Sequence, residues 1–211
     1  MVHWFYYVGR LMIRILLALL TRWQVNGKEN VPKTGPLLVV ANHVNAVDPP
    51  LLGVSLGRKM MFMAKEELFH SRFTGYFIRG FGSFPVRRGR LDLKCLRQAD
   101  QILAQGLAVT MFPEGKRSRN GQIQPALPGS ALIAARSRVP VLPVGIIGTR
   151  QLRGTTWLLR RPRITVNIGP PFSLPPVDGR LTKAKLAEHS DLIMERIAEL
   201  LPEDYQGGYR A

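Results

Sequence analysis

The 211-residue chain holds a single cysteine, Cys95, which excludes an intrachain disulfide and suits a reducing cytosol. Cys95 sits in the spacing Leu93, Leu96, Ile102, Leu103, that of a helix facing a core, which argues against a nucleophile. The Gly-x-Ser-x-Gly elbow of hydrolases is missing, and with it the usual seat of a covalent acyl-enzyme. His3, His70 and His189 lack spaced carboxylate or thiol partners, so no metal site is expected. No uncharged apolar stretch approaches the ~20 residues that a bilayer-spanning helix needs. No internal repeat or low-complexity tract is visible, and 45% hydrophobic residues are enough for one sizeable core.

Acidic residues are also scarce, at 14 Asp and Glu against 30 Lys and Arg, for a net charge of +16. The imbalance is local. Residues 1–170 carry 25 cations against 7 anions, net +18, while residues 171–211 carry 5 against 7, net −2. Such a field draws a chain to an anionic bilayer or to nucleic acid, and charge alone does not choose. Zinc-finger ligands and the aromatic-basic signature of RNA-recognition motifs are absent, so no nucleic-acid partner is expected.

The N-terminus points to the membrane. From Trp4 to Trp23 aromatics stand at both ends of an apolar run, and Arg10 and Arg14 share one helical face. That pattern predicts an amphipathic helix lying at a membrane surface, apolar residues in the acyl boundary and arginines at headgroups. The two arginines interrupt the apolar region, and no small-residue cleavage site follows, so it is not a signal peptide. The competing reading packs this helix on the protein's own core.

Farther along, apolar runs at 37–40, 59–63, 107–112, 141–147 and 163–168 read as buried strands. Helical patterns lie near 51–56, 66–80, 92–105, 129–137 and 182–201, the last with Thr182 as N-cap. The alternation predicts an α/β class fold: a largely parallel central sheet flanked by helices, with ligands beyond the carboxyl ends of the strands. The expected units are a membrane-associated helical segment over 1–30, the main domain over 31–202, and a frayed tail over 203–211.

Three segments carry chemistry. After the first apolar run comes Asn42-His43-Val44-Asn45-Ala46-Val47-Asp48-Pro49, a histidine followed five positions later by a carboxylate. An imidazole removes an alcohol's proton only if its tautomer and orientation are fixed, and a carboxylate fixes both. Asn42, Asn45 and Pro49 favour the turn this needs. The other reading of Asp48 is an N-cap ahead of Pro49, with His43 an ordinary strand-end residue. The second segment, Gly82 to Arg90, holds Arg87, Arg88 and Arg90, forks suited to phosphate oxygens, although Arg88 and Arg90 also fit a solvated face. The third, Phe112-Pro113-Glu114-Gly115-Lys116-Arg117-Ser118-Arg119, is a turn dense in cations.

In order and spacing these segments resemble the four sequence blocks of the glycerolipid acyltransferase family, specifically the 1-acyl-sn-glycerol-3-phosphate acyltransferases. Val139-Pro140-Val141-Leu142-Pro143-Val144 is similar to the fourth, proline-bearing block. Lys116 stands where the family usually has Thr, and Asn45 where Ser is common. The resemblance, over about residues 36–150, implies His43 as general base and Asp48 as its orienting acid. It implies Arg87, Lys116 and Arg117 on the acceptor's phosphate, with Glu114 and Gly115 shaping that turn. Pro143 is implied on the acyl-donor side.

The implied reaction is direct transfer of a fatty acyl group from a thioester to the free hydroxyl of a 1-acyl-glycerol-3-phosphate. The product is phosphatidic acid, a step of phospholipid biosynthesis. No cofactor is expected beyond the donor substrate, acyl-CoA or acyl carrier protein. The expected partners are the lysophospholipid and an anionic membrane surface, with the chain peripheral or monotopic at the cytoplasmic face of the cell membrane. Glycerol-3-phosphate or another lysolipid remains the alternative acceptor.

Overall fold

The computed structural model describes residues 3–87, 92–152, 154, 156–177 and 179–209. Its sheet is built from β1 (Arg22–Asn26), β2 (Leu37–Ala41), β3 (Met60–Lys65), β4 (Ser83–Val86), β5 (Ala108–Met111), β6 (Val141–Ile147) and β7 (Arg163–Ile168). Across the sheet they run β1-β7-β6-β2-β5-β3-β4. Every neighbouring pair is parallel except β6 with β7, which are antiparallel.

β2 is central, and all five of its residues are fully buried. A strand covered on both faces needs no polar alternation, which is why it reads as an unbroken apolar run. Leu37, Val39 and Ala41 join a core with α1 (His3–Leu20) and α2 (Asp48–Ser55). Leu38 and Val40 join the opposite core, with α4 (Leu93–Ala104), α5 (Gly129–Ser137) and α7 (Lys183–Ala198). Burying each such side chain contributes about 1.5–3 kcal/mol, so β2 ties the two cores together. Caps start the helices: Asp92 accepts from Lys94 N and Cys95 N at the head of α4, and Thr182 accepts from Lys185 N at the head of α7, as its sequence predicts.

Two strands escape the apolar-run criterion. β1, Arg-Trp-Gln-Val-Asn, is an edge strand with one half-buried face, and it sits directly after the apolar stretch of α1. β4 carries Pro85, tolerated because the strand lies at the other edge and, among the described residues, pairs with β3 alone. The expected helical segment over 1–30 therefore ends early. α1 stops at Leu20, and residues 22–26 belong to the sheet. The single helix expected over 66–80 divides into a 3-10 turn (Glu66–Phe69) and α3 (Arg72–Gly80), because Ser71 adopts an extended backbone and caps α3 through Thr74 N. A short α6 (Trp157–Arg160) precedes β7.

The tail expected to fray is folded through Tyr209. α8 (Glu203–Gln206) leads into a 3-10 turn, Gly207–Tyr209. Tyr205 accepts from Ile123 N at its carbonyl (2.8 Å) and from Gly148 N at its hydroxyl (3.1 Å), and the Tyr205 and Tyr209 rings pack on the core. Two aromatics outweigh the fraying tendency of a polar terminus. α1 buries Tyr6 and Leu17 and exposes Tyr7, Leu11, Met12, Ile15, Leu16 and Leu19. Among the described residues no helix is long and apolar enough to cross a membrane.

Candidate active site

β2 and β5 pair in parallel from Leu37 with Ala108 to Val40 with Met111. Their carboxyl ends therefore deliver the histidine segment and the Phe112 to Ser118 segment side by side. Asn42 continues the sheet after the backbone turns away: its amide nitrogen donates to Ile146 O (2.9 Å), and Ile146 N donates to its oxygen (2.7 Å). The next residue is gripped by the other segment. His43 N donates to Glu114 Oε1 (2.8 Å), and Ser118 N donates to His43 O (2.7 Å).

His43 Nδ1 lies 2.9 Å from Asp48 Oδ2. The same oxygen accepts from Val44 N and Asn45 N, each at 2.7 Å, and Asp48 is fully buried. The N-cap of α2 is Val47, with no side-chain bond, so Asp48 is not the cap but reaches back to the loop. A carboxylate at Nδ1 selects the tautomer with the proton there and leaves the Nε2 lone pair for chemistry. One face of the ring stacks on Phe112, centroids 4.1 Å apart and planes 20° apart. Only 7% of the His43 side chain stays accessible, so a reactant reaches it along a narrow edge. Asn45 is the turn residue expected, accepting from Val47 N and donating to Thr149 O.

Phe112 also lines an apolar cavity of about 320 Å³, together with Met63, Leu96, Met111, Leu127 and Ile133. Cys95 lines it too, with its thiol pushed up to about 12 by burial, which leaves it a poor nucleophile.

The remaining expected residues divide. Glu114 does not face an anion. Its carboxylate accepts from His43 N and Gln124 N, it is 3% exposed, and desolvation raises it to about 7, with a smaller push from Asp48. A buried carboxylate braced by two backbone N–H groups clamps the histidine loop and shapes the turn that carries it. Gly115 lines the cavity in a left-handed conformation (φ 68°), and its N–H is spent on Phe112 O.

Lys116 and Arg117 are exposed and are not among the cavity's lining residues, so the turn meets His43 through the Glu114 carboxylate and Ser118 N rather than through its cations. Arg87 lines the cavity, but its guanidinium holds Glu66 through Nε (2.6 Å) and Nη2 (3.2 Å). That pair lowers the Glu66 carboxyl and raises Arg87. Arg88 and Arg90 lie outside the described residues. Pro143 is buried within β6 against Gly169 and does not line the cavity, whose strand residues Met63, Val86 and Met111 come from β3, β4 and β5, across β2 from β6. Phe112 and Asn42 were not singled out as functional from sequence. Strand-end position is the signal they carry, since parallel sheets gather side chains there.

A model of the Acyltransferase family matches residues 22–147, from the start of β1 to the end of β6, including the paired His43 and Asp48. The chain belongs to the acyltransferase family. Among its relatives, 1-acyl-sn-glycerol-3-phosphate acyltransferase of Streptococcus pneumoniae is 30% identical over 167 residues, 75% of this chain and 61% of that protein. The chloroplastic enzyme of that name from Brassica napus is 29% identical over 195 residues, 89% of this chain and 56% of the relative. The Bacillus subtilis relative is 27% identical, covering 89% of this chain and 92% of its own. The chain thus spans less than two thirds of several relatives' length. The crystal structure of the 1-acyl-sn-glycerophosphate (LPA) acyltransferase PlsC of Thermotoga maritima matches with a TM-score of 0.70 and 29% identity, over 92% of this chain and 79% of that one. This acyltransferase-family chain therefore shares the α/β architecture of a solved relative, with a mostly parallel sheet between helical layers.

Proposed function

We propose that the chain is an O-acyltransferase that moves a fatty acyl group from a thioester to the free hydroxyl of 1-acyl-glycerol-3-phosphate, giving phosphatidic acid. One observation carries the reading: the buried contact of His43 Nδ1 with Asp48 Oδ2 at 2.9 Å, beside an apolar cavity that Phe112 shares with the ring. The names of the relatives favour the same acceptor.

In this reading Nε2 of His43 accepts the hydroxyl proton as the oxygen attacks the thioester carbonyl. Asp48 stabilises the imidazolium. The tetrahedral intermediate collapses, the C–S bond breaks, and the imidazolium returns the proton to the departing thiolate. No covalent acyl-enzyme forms. The apolar cavity receives an acyl chain, and Lys116 and Arg117 hold the phosphate from the solvent side, with Arg87 joining if it exchanges Glu66 for the ligand. Holding the lipid in place sets its hydroxyl against Nε2, where most of the rate gain arises. The donor is acyl-CoA or acyl carrier protein, with no further cofactor. α1 rests on the anionic headgroups of the cytoplasmic face, apolar side inward.

The test is product identification by mass after incubating the purified chain with both donors and a panel of acceptors, including glycerol-3-phosphate and several lysophospholipids. Phosphatidic acid from 1-acyl-glycerol-3-phosphate is expected. A chain that acylates only a non-phosphorylated acceptor refutes the acceptor assignment.

A further inference from the structure

α3 has the wrong outside for a helix that faces only water. Phe73 is 73% exposed and Tyr76 61%, and Leu68, on the turn before it, is 46% exposed. The Phe73 and Phe77 rings lie 4.7 Å apart and form an aromatic ledge. Isolated exposed apolar residues are ordinary, but a cluster this dense marks a contact surface. The helix's inner side is glycine. A Cβ on Gly75 would come within 2.9 Å of Phe69 O, so α3 lies tight on the preceding turn, and Gly75 and Gly80 are its buried residues.

We propose that α3 is a second membrane-contacting element beside α1, whose aromatic ledge enters the headgroup region of an anionic bilayer. Two observations choose a bilayer as the occupant. First, cations flank the ledge: Arg72 and Arg79 are exposed near the two ends of α3, and the Arg79 guanidinium stands 5.3 Å over the Phe69 ring. Exposed rings between arginines suit the boundary between acyl chains and anionic headgroups, and the net +18 of residues 1–170 complements it. Second, the end of α3 lies against α1. Phe81, the residue after α3, packs against Gly9, and its ring lies 6.5 Å from that of Tyr6. α1 carries its own exposed row of Tyr7, Leu11, Met12, Ile15 and Leu19 from there.

The placement has a use that rests on the proposed function. α3 connects β3 to β4, and Met63 and Val86 of those strands line the apolar cavity. A docked α3 brings the cavity close to the bilayer, so a lipid enters with little exposure of its acyl chain to water.

The experiment is flotation of the full chain with vesicles of phosphatidylcholine and phosphatidylglycerol, without lysolipid or thioester, so binding is read whether or not acyl transfer occurs. Phe73→Ser with Tyr76→Ser is expected to lower the partition coefficient by about tenfold or more, since each ring loses the transfer free energy of a large apolar group. A separate Leu11→Ser with Leu19→Ser variant reports on α1. Wild-type partition of a folded α3 variant overturns the inference, whatever the α1 variant does. So does an α3 variant that keeps its vesicle binding and loses only self-association, which makes a second copy the occupant. A conservative probe guards against misfolding: Phe73→Cys carrying an environment-sensitive fluorophore, attached selectively because Cys95 is buried. Its emission is expected to shift to the blue on vesicle addition, and an unshifted emission overturns the inference.

Discussion

The Glu114 carboxylate accepts the backbone N–H of His43 at 2.8 Å across 71 residues of sequence, binding the ends of two adjacent strands into one unit. The orientation of the imidazole thus depends on the opposite segment as well as on Asp48. Four expectations follow from this arrangement and its neighbours.

His43→Ala is expected to lower kcat by about 10²–10⁴-fold with the fold retained, the range for loss of a general base. Asp48→Asn should fall in the same range, because the amide no longer enforces the Nδ1–H tautomer. Steady-state kinetics with a circular-dichroism melt checks both, and near wild-type turnover of purified His43→Ala refutes the base assignment.

Glu114 makes stability depend on pH in a definite direction. Its folded value of about 7 lies above the ordinary 4.5, so the protonated form is favoured in the folded state. The contribution is fully present below about pH 4.5 and is lost as pH rises through about 7, by at most ~3 kcal/mol. Denaturant unfolding should show wild type losing stability relative to Glu114→Gln over that window. A difference that stays flat between pH 4.5 and 7 contradicts the burial argument.

Arg117→Ala should raise KM for the phosphorylated acceptor about 10–100-fold with little change in kcat, as expected for one charge-assisted hydrogen bond worth ~1.5–3 kcal/mol. The KM for a non-phosphorylated analogue should not move. Equal loss on both acceptors would remove Arg117 from the phosphate site.

Gly115→Ala should destabilise the fold by about 1–2 kcal/mol, because φ 68° disfavours an L side chain. The new methyl would also collide with Leu127 in the cavity wall. The melting temperature should drop by about 2–8 °C, and an unchanged melt would mean that the turn relaxes freely.

Much of this was legible in the chain itself. β2, β5 and β6 are apolar runs because each is largely buried, and burial forces composition, while β7 alternates because one of its faces is covered more than the other. The spacing from His43 to Asp48 told of a possible dyad, and four blocks in order told of the family. β1 and β4 were not legible, since edge strands carry half-polar sequences and tolerate Pro85. The grip of Glu114 on the backbone of His43 was not legible, because a carboxylate's partners need not lie in its own segment.

What the sequence by itself determined is the local chemistry: strands where both faces must be apolar, caps where a helix needs an acceptor, and a base with an acid one turn away. Only the tertiary structure decided which of those groups meet. The strand order sets β2 beside β5, so His43 lands on Phe112 and Glu114, while Lys116 and Arg117 stay in solvent and Pro143 falls inside the sheet. The reason is physical: spacing along a strand fixes which face a residue shares, but neighbours across strands are chosen by the collapse of two cores around one sheet.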